Sequence, residues 1–163
     1  MFLPDGRLRR YVDKGLLVTS MVEADQFQPA SIDLTLSRSF RTQRGSHFNQ
    51  NSPFYMDSHQ FLLGSTEEEI LMPDDCMGFV VGRSSWARKG LGVEVAGLVD
   101  PGFRGQLTLE MFNLTDEPLL LTPGSRICQM AVAMLVRAAD RPYGSDDHWG
   151  SYQGQMGATP SVL

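Results

Sequence analysis

A chain of 163 residues with 42% hydrophobic residues is long enough for one domain with a substantial core. Its formal net charge of −5 argues against a nucleic-acid polymer as the main partner, because neutralising a phosphate backbone requires a basic face. No apolar run reaches the roughly 18–20 residues that cross a bilayer, and the basic N-terminus lacks the apolar core of a secretory signal. We therefore expect a cytoplasmic protein without a membrane partner, in which Cys76 and Cys128 are free buried thiols.

The N-terminal part contains one predicted helix and two predicted strands. Residues 4–14 are predicted to be helical, because Leu8, Tyr11 and Val12 recur at helical spacing before Gly15. Strands are predicted over residues 16–18 and over 32–36, where apolar and polar residues alternate as in a half-buried strand. The polar stretch 41–58 has no periodicity and is predicted to be a loop.

The remainder of the chain is predicted to be mainly β. Short strands separated by Pro and Gly turns predict a closed or double-sheet antiparallel fold, a β-barrel or jelly roll, with strands over residues 61–63, 68–71, 78–81, 93–95, 106–113, 119–121 and 127–136. Residues 140–163 are rich in Gly, Ser and Asp and cannot form a core of their own. We expect one domain over residues 1–139 and a segment that is either disordered or an arm that orders on a ligand.

The motif GRSSWAR, residues 82–88, predicts an anion site. Ser84 or Ser85 can cap a short helix, whose free N–H groups attract anions. Arg83 and Arg88 add two guanidinium groups that suit phosphate oxygens. A capped helix with surface ion pairs explains the same residues without any ligand.

Two carboxylates are candidate site residues. Asp100 begins an Asp-Pro-Gly turn, which either fixes its carboxylate at a strand end or simply uses it to cap the turn. Residues 106–111 alternate, so that Thr108 and Glu110 point away from the apolar face. In a monomer that polar face would be solvent-exposed, whereas in an oligomer it could line a cleft in which Glu110 acts as a general acid or base.

Several other chemistries have no support in the sequence. His47, His59 and His148 lack metal-ligand spacing, and the two cysteines form no CxxC pair, so no protein metal site is predicted. The H-x-E and P-C-x-x-C pattern of zinc nucleotide deaminases is absent. The chain also lacks a GxxxxGK[ST] phosphate loop and any local motif of a Ser-His-Asp triad.

A larger set of motifs matches a known family in order along nearly the whole chain. The segments are QPASIDLTL, FLLGSTEEEILMP, GRSSWARKGL, AGLVDPGFRGQLTLEMFN, PGSRICQM and RPYG followed by YQGQMGATPS. Together they resemble the dCTP deaminase branch of the trimeric dUTPase superfamily. The resemblance implies a distorted β-barrel or jelly roll, a homotrimer with active sites between subunits, and a C-terminal arm that closes over a nucleotide whose triphosphate carries Mg²⁺.

The resemblance also implies roles for individual residues. Glu110 would be the general base, and Asp100 would hold the 3′-hydroxyl of deoxyribose. Thr108, Leu109 and Glu110 would meet the pyrimidine, whose edge the backbone of Ala96 and Gly97 would read. The triphosphate would be held by Arg83, Ser84, Ser85, Arg88, Gln129, Tyr143 and Gln155, with Ser151 at the position where relatives carry Lys.

Two departures from the family pattern bear on function. The segment before Ala96 is one residue short and lacks the usual Thr, and Ser151 replaces a Lys. Relatives that also hydrolyse dUTP tend to carry Gly after the Ala, as Gly97 does here, which favours deamination of dCTP coupled to formation of dUMP and pyrophosphate. The alternatives are a dUTP diphosphatase or related pyrimidine nucleotide hydrolase, and a non-catalytic nucleotide-binding trimer.

Overall fold

Short strands joined by tight turns form most of the fold. The computed structural model describes residues 1–20, 22–94, 97–145 and 150–162. The helices are α1 (Asp5–Asp13) and α2 (Ser84–Ala87), and a 3₁₀ turn covers Ala24–Gln26. The strands are β1 (Leu17–Val18), β2 (Phe27–Gln28), β3 (Ser31–Thr35), β4 (Ser39–Thr42), β5 (His47–Asn49), β6 (Phe54–Met56), β7 (Phe61–Leu71), β8 (Cys76–Gly82), β9 (Leu91–Glu94), β10 (Leu98–Val99), β11 (Arg104–Asn113), β12 (Leu119–Leu121) and β13 (Arg126–Met134).

These strands form antiparallel sheets. The first sheet has the order β5-β4-β7-β11-β9, with β1 also paired to β7, and the second has the order β10-β8-β13-β3-β2. Strands β6 and β12 form a separate ribbon. The longest pairing joins β11 to β7, from Arg104 opposite Leu71 to Phe112 opposite Phe61. The predicted mainly β, antiparallel fold is confirmed.

The apolar faces of the two larger sheets share one core. Leu62 and Leu109 from the first sheet belong to the same cluster as Ile32, Val80 and Met130 from the second. Burial of each such side chain contributes roughly 1.5–3 kcal/mol, so the period-2 apolar pattern fixes which face of each strand turns inward. Along β11 the buried positions alternate with half-buried Thr108 and Glu110.

Several predicted elements are confirmed and others are corrected. The helix over residues 4–14 is α1, and Gly15 follows it with a φ of +71°. The predicted strands 61–63 and 68–71 are halves of one strand, β7. Its buried Thr66 is satisfied because it donates to the carbonyl of Glu68 and accepts from the N–H of Leu107, so polar residues there do not interrupt the strand.

The prediction of a loop over residues 41–58 is wrong. This stretch contains β5 and β6, and β4 begins just before it. The strands are held by Phe40, Phe48 and Phe54, whose ring centroids lie 4.9–6.1 Å apart. Three aromatic residues spaced along a polar stretch leave no period that a sequence reading can detect, yet they pack together once the strands pair.

Both cysteines are free and buried, as predicted. Burial raises the pKa of Cys76 to about 12, with the neighbouring Asp75 carboxylate adding to the effect. Burial also raises the pKa of Cys128. Both thiols therefore stay neutral at physiological pH and serve as core residues. No helix in the described ranges is long and apolar enough to span a membrane.

The C-terminal segment pairs with the start of β11 through a parallel bridge between Gln155 and Gly105. The N–H of Gln106 donates to the carbonyl of Gln155 at 3.0 Å, and the side-chain amide of Gln155 donates to the carbonyl of Gln106 at 2.8 Å. Further on, the N–H of Ala158 donates to Ser39 Oγ at 2.9 Å. The described residues 150–162 therefore have specific partners on the first sheet of their own chain.

Gly105→Ala tests this docking. A Cβ at Gly105 would lie 2.6 Å from the carbonyl oxygen of Gln155, which forces the segment away from β11. We expect a protease to cut the chain after residue 150 about tenfold faster than in the unmodified protein, because the docked state is less populated. Gly124→Ala is the matched control, since Gly124 also has a positive φ of +85° but nothing lies within 4 Å of its Cβ position. Equal cleavage rates in the two variants would contradict the docking.

Candidate active site

A cleft of about 650 Å³ opens between the polar face of β11, the turn after β10 and the C-terminal segment. Its polar walls include Asp100, Thr108, Glu110, Tyr143 and Gln155. Five residues that the sequence analysis selected therefore meet in one cavity of a single chain. The polar face of β11 was expected to be open to solvent in a monomer, and this is corrected because residues 159–161 lie against it.

The Asp100 turn has the geometry that its sequence predicts. The N–H of Phe103 donates to the carbonyl of Asp100 at 3.1 Å, and Gly102 supplies a φ of +87°. Among the described residues the Asp100 carboxylate makes no hydrogen bond, so it does not cap its own turn. The turn fixes the backbone and leaves this exposed carboxylate available at the cleft.

Strand β11 contributes the second carboxylate. Glu110 is half-buried, lines the cleft, and lies opposite Leu63 of β7 in the backbone register. Thr108 shares this face, and its Oγ1 accepts a hydrogen bond from the N–H of Thr159 at 3.2 Å. Leu109 is fully buried in the core, so its side chain cannot meet a ligand in the cleft and only its backbone remains available.

The C-terminal segment forms the outer wall of the cleft. The hydroxyl of Tyr143 accepts a hydrogen bond from the N–H of Tyr152 at 3.0 Å, and the Tyr143 ring lies 5.8 Å from that of Phe103. Gln155 uses its amide nitrogen to hold the segment on Gln106. Ser151 is exposed in a turn and does not line the cleft.

The GRSSWAR motif begins at Gly82, the last residue of β8, and continues through α2, and none of its residues lines this cleft. Arg83 precedes α2 as its N-cap and Arg88 follows the helix. The expected serine cap is not observed, because Ser84 is already the first helical residue and no side chain caps the helix. Ser84, Ser85 and Arg88 are exposed. Gly90, with a φ of +88°, ends the turn where a Cβ would collide with Thr115.

Gln129, like the GRSSWAR residues, does not line the cleft. It lies on β13 directly opposite Asp33 of β3 on one side and Val81 of β8 on the other. Residues opposite each other in a sheet share a face, so Gln129 lies on the same face as Asp33.

Gly97 is exposed, and its carbonyl accepts from the N–H of Val80 at 3.3 Å. Ala96 lies outside the described residues.

Asp33 is a candidate site residue that the sequence analysis did not select. The period-2 pattern placed it on the polar face of a half-buried strand, but it is 1% exposed. Its Oδ2 lies 3.4 Å from Arg83 Nη2 and accepts from Gln28 Nε2 at 3.2 Å, while Oδ1 has no hydrogen-bond partner among the described residues. Burial raises the pKa of Asp33, and the nearby Arg83 and Arg126 oppose that shift. The signal available in the sequence was its place in the motif QPASIDLTL.

The apolar wall of the cleft was also missed. Phe61, Leu63, Leu98 and Tyr152 line it, together with Phe103 and Leu107. Apolar walls with a few converging polar groups are typical of small-ligand sites. In the described part of the chain, no three His, Cys, Asp or Glu side chains come close enough together to hold a metal ion.

Comparison with known proteins supports the motifs. A family model described as dCTP deaminase-like matches residues 2–135. The "dCTP deaminase, dUMP-forming" of Sulfurihydrogenibium sp. is 37% identical, over 100% of this chain and 97% of the relative.

Solved structures share the fold. The dCTP deaminase of Agrobacterium tumefaciens matches with a TM-score of 0.71 and 21% identity, over 82% of this chain and 47% of that chain. A variant dUTPase of phage phi11 of S. aureus matches with a TM-score of 0.53 and 14% identity, over 78% of this chain and 92% of that chain. The extent of the family match and the full-length relative together show that the chain belongs to the dCTP deaminase-like family.

Proposed function

We propose that the protein deaminates dCTP to dUTP and ammonia and then hydrolyses dUTP to dUMP and pyrophosphate. The observation that carries the proposal is the meeting of Asp100, Thr108 and Glu110 in one cleft, within a family whose full-length relative is named as dUMP-forming. Such a reaction supplies dUMP for pyrimidine deoxynucleotide synthesis.

In the proposed deamination, Glu110 is the general base. It removes a proton from a water molecule, whose oxygen attacks C4 of cytosine and forms the new C–O bond. Glu110 passes this proton to N3. The remaining proton of the C4 hydroxyl is then transferred to the exocyclic amine, the C4–N bond breaks, ammonia leaves, and C4 becomes the carbonyl of uracil. The Glu110 carboxylate and the walls of the cleft would activate and position the attacking water.

Asp100 is proposed to accept a hydrogen bond from the 3′-hydroxyl of deoxyribose. The Asp-Pro-Gly turn fixes the backbone at this point, so the carboxylate can be held without a large loss of entropy on binding. The adjacent apolar residues Phe103 and Leu107 offer no partner for a 2′-hydroxyl. A ribonucleotide would therefore bury an unsatisfied hydroxyl, which favours deoxyribose.

Arg83, Arg88, Ser84, Ser85 and Gln129 are proposed to hold the triphosphate. Their guanidinium, hydroxyl and amide groups suit phosphate oxygens. Magnesium would be held mainly by the phosphates and water, because the described acidic residues build no cage of their own. A structural Mg(II) ion is coordinated in the variant dUTPase of phage phi11, which shares the fold.

The division of these residues into two groups supports an active site between subunits. The carboxylates and the phosphate-binding group do not line the same cleft of one chain, so a second copy is needed to combine them. We infer a homotrimer of the domain 1–139, as the family resemblance implies.

The segment 140–163 is proposed to close over the bound nucleotide. Its Thr159 already contacts Thr108, which is proposed to meet the pyrimidine. Tyr143 and Gln155 lie at the cleft, where a shift of the segment could bring them to the nucleotide. The family resemblance implies a Lys at position 151, and Ser151 would contribute a hydroxyl in place of that cation.

Product analysis tests the reaction. Incubation with Mg²⁺ and dCTP is expected to release ammonia, dUMP and pyrophosphate, whereas dUTP as substrate gives dUMP and pyrophosphate. Glu110→Gln is expected to lower ammonia release by at least about a hundredfold while dCTP still binds, because the amide cannot take the proton from water. Release of pyrophosphate from dUTP with dCTP unchanged would indicate a diphosphatase, and binding without turnover would indicate a non-catalytic protein.

Mixing two inactive variants tests the site between subunits. Glu110→Gln and Arg88→Gln are each expected to be inactive. Trimers refolded from an equal mixture should regain roughly a quarter of wild-type activity, because random assortment restores some sites that take an intact residue from each neighbour. The control is a mixture of Glu110→Gln with Asp100→Asn. No activity should be regained there, since both carboxylates lie in the same cleft of one chain. Absence of recovery in the first mixture would place the site within one subunit.

Asp33→Asn tests whether the Asp33 carboxylate positions the guanidinium of Arg83. The neutral amide removes the buried charge that holds the guanidinium, so KM for dCTP should rise about tenfold with a smaller change in kcat. The control is Asp25→Asn, which removes an exposed carboxylate paired with Arg126 and should leave KM within about twofold. An unchanged KM in Asp33→Asn would show that the pair does not position Arg83.

A further inference from the structure

A second cavity, of about 340 Å³, lies beside α1 and away from the cleft that contains Glu110. Its lining consists of Arg7, Arg10, Tyr11, Lys14, Leu16, Pro73 and Asp75. Three of these residues are cations and one is an anion, in a chain whose net charge is −5. None of them lines the larger cleft, so an inference about this cavity does not rest on the proposed function.

The helix places the cations on one side. Arg7 and Arg10 are spaced i and i+3 on one face of α1, and Lys14, the residue that ends the helix as its C-cap, lines the same cavity. With a rise of about 1.5 Å per residue, the row extends for about 10 Å. The row is longer than a single phosphate group and comparable in length to a chain of two or three phosphates.

No ion pair among the described residues neutralises these three cations. Among the described residues, the ion pairs of Arg83, Arg126 and Arg137 each include a carboxylate, and no carboxylate pairs with Arg7, Arg10 or Lys14. Arg7 donates to Met134 Sδ at 3.6 Å, and thioether sulfur is a weak acceptor.

The neighbouring Arg9 shows the contrast. It lies on another face of α1, where its guanidinium is 4.3 Å from the centre of the Phe27 ring and donates to the carbonyl of Ala24 at 3.0 Å. Arg9 thus has a structural role. The row formed by Arg7, Arg10 and Lys14 leaves its positive charge directed at an open cavity.

The remaining lining residues suit a ligand larger than a simple ion. Tyr11, Leu16 and Pro73 are half-buried and provide apolar surface beside the cations. Burial raises the pKa of Tyr11, with further contributions from Cys76 and Asp75, so its hydroxyl remains a neutral donor at physiological pH. The single carboxylate, Asp75, accepts a hydrogen bond from Cys76 Sγ at 3.5 Å.

We propose that this cavity binds a polyphosphate group, with its phosphates along the row of Arg7, Arg10 and Lys14. The ligand is either free pyrophosphate or the phosphate chain of a nucleotide whose organic part packs on Tyr11, Leu16 and Pro73. Arginine and lysine side chains both bind phosphate, and three of them spread over two helical turns favour two or more linked phosphates over one.

The four tyrosines of the chain provide a local assay in the intact protein. With ¹³C-labelled tyrosine, the ring signals of Tyr11 report on this cavity, and those of Tyr143 and Tyr152 report on the larger cleft. Tyr55 is exposed on the β6 strand and serves as the internal reference. Titrations with sodium pyrophosphate and with ATP, each at ionic strength matched by sodium chloride, are expected to shift the Tyr11 signal to saturation.

Substitutions then assign the shift to the cations. Arg7→Gln combined with Arg10→Gln should weaken the Tyr11 response by about tenfold or more, because two charge-assisted contacts are lost. Arg38→Gln combined with Arg44→Gln changes the net charge equally at exposed sites that do not line this cavity and should leave the response unchanged. A stronger response to ATP than to pyrophosphate identifies a nucleotide, and the reverse identifies free pyrophosphate.

Three results would overturn the proposal. The Tyr11 signal could stay unchanged in both titrations, it could respond equally in the Arg7→Gln, Arg10→Gln variant, or sodium chloride alone could produce the same shift. A response of Tyr143 and Tyr152 without one of Tyr11 would place all polyphosphate binding in the larger cleft. Because the readout is local, these outcomes are separate from success or failure of the dCTP assay.

Discussion

The pairing of β11 with β7 is the constraint on which the candidate active site depends. It holds β11 against the centre of the first sheet from Arg104 to Phe112, and the alternation along β11 buries Leu107, Leu109 and Met111. Because strand side chains alternate, the same register that fills the core must direct Thr108 and Glu110 into the cleft. Slipping the register by one residue would put Glu110 into the core, so the stability of the fold and the position of the proposed base have the same physical cause.

On the second sheet, the Asp33–Arg83 contact likewise positions a residue that is proposed to bind substrate. Removing a carboxylate from water is costly, and one arginine at 3.4 Å with one amide at 3.2 Å compensates for part of that cost. The pair is therefore a weak source of stability. Its effect is on geometry, because it joins the start of α2 to the central strands β3 and β13 and limits the freedom of an arginine that is one-third exposed. A fixed guanidinium loses less entropy when it binds phosphate.

Patterns in the sequence predicted those parts of the structure that are determined by residues close together along the chain. Helix α1, the Asp-Pro-Gly turn and the alternation of β11 each follow from spacing within about ten residues. The burial of Asp33 depends on Arg83, fifty positions later, and the edge strands β5 and β6 depend on contacts among three phenylalanines. Family motifs selected Asp100, Glu110 and Thr108, which the fold brings together, but they did not indicate that Arg83 and Arg88 lie outside that cleft.

The separation of carboxylates from cations has a physical rationale if a second chain combines them. Within one small cleft, Arg83 and Arg88 would be attracted to Asp100 and Glu110, and these ion pairs would compete with substrate for both groups. Because Arg83 and Arg88 do not line the cleft, the cations remain available for phosphate and the carboxylates for sugar and base. Combining them across an interface lets the nucleotide bridge the two surfaces, since its anionic phosphates and its neutral base require different surroundings. Under this arrangement assembly supplies the complete site, and each chain folds without a competing internal ion pair at its centre.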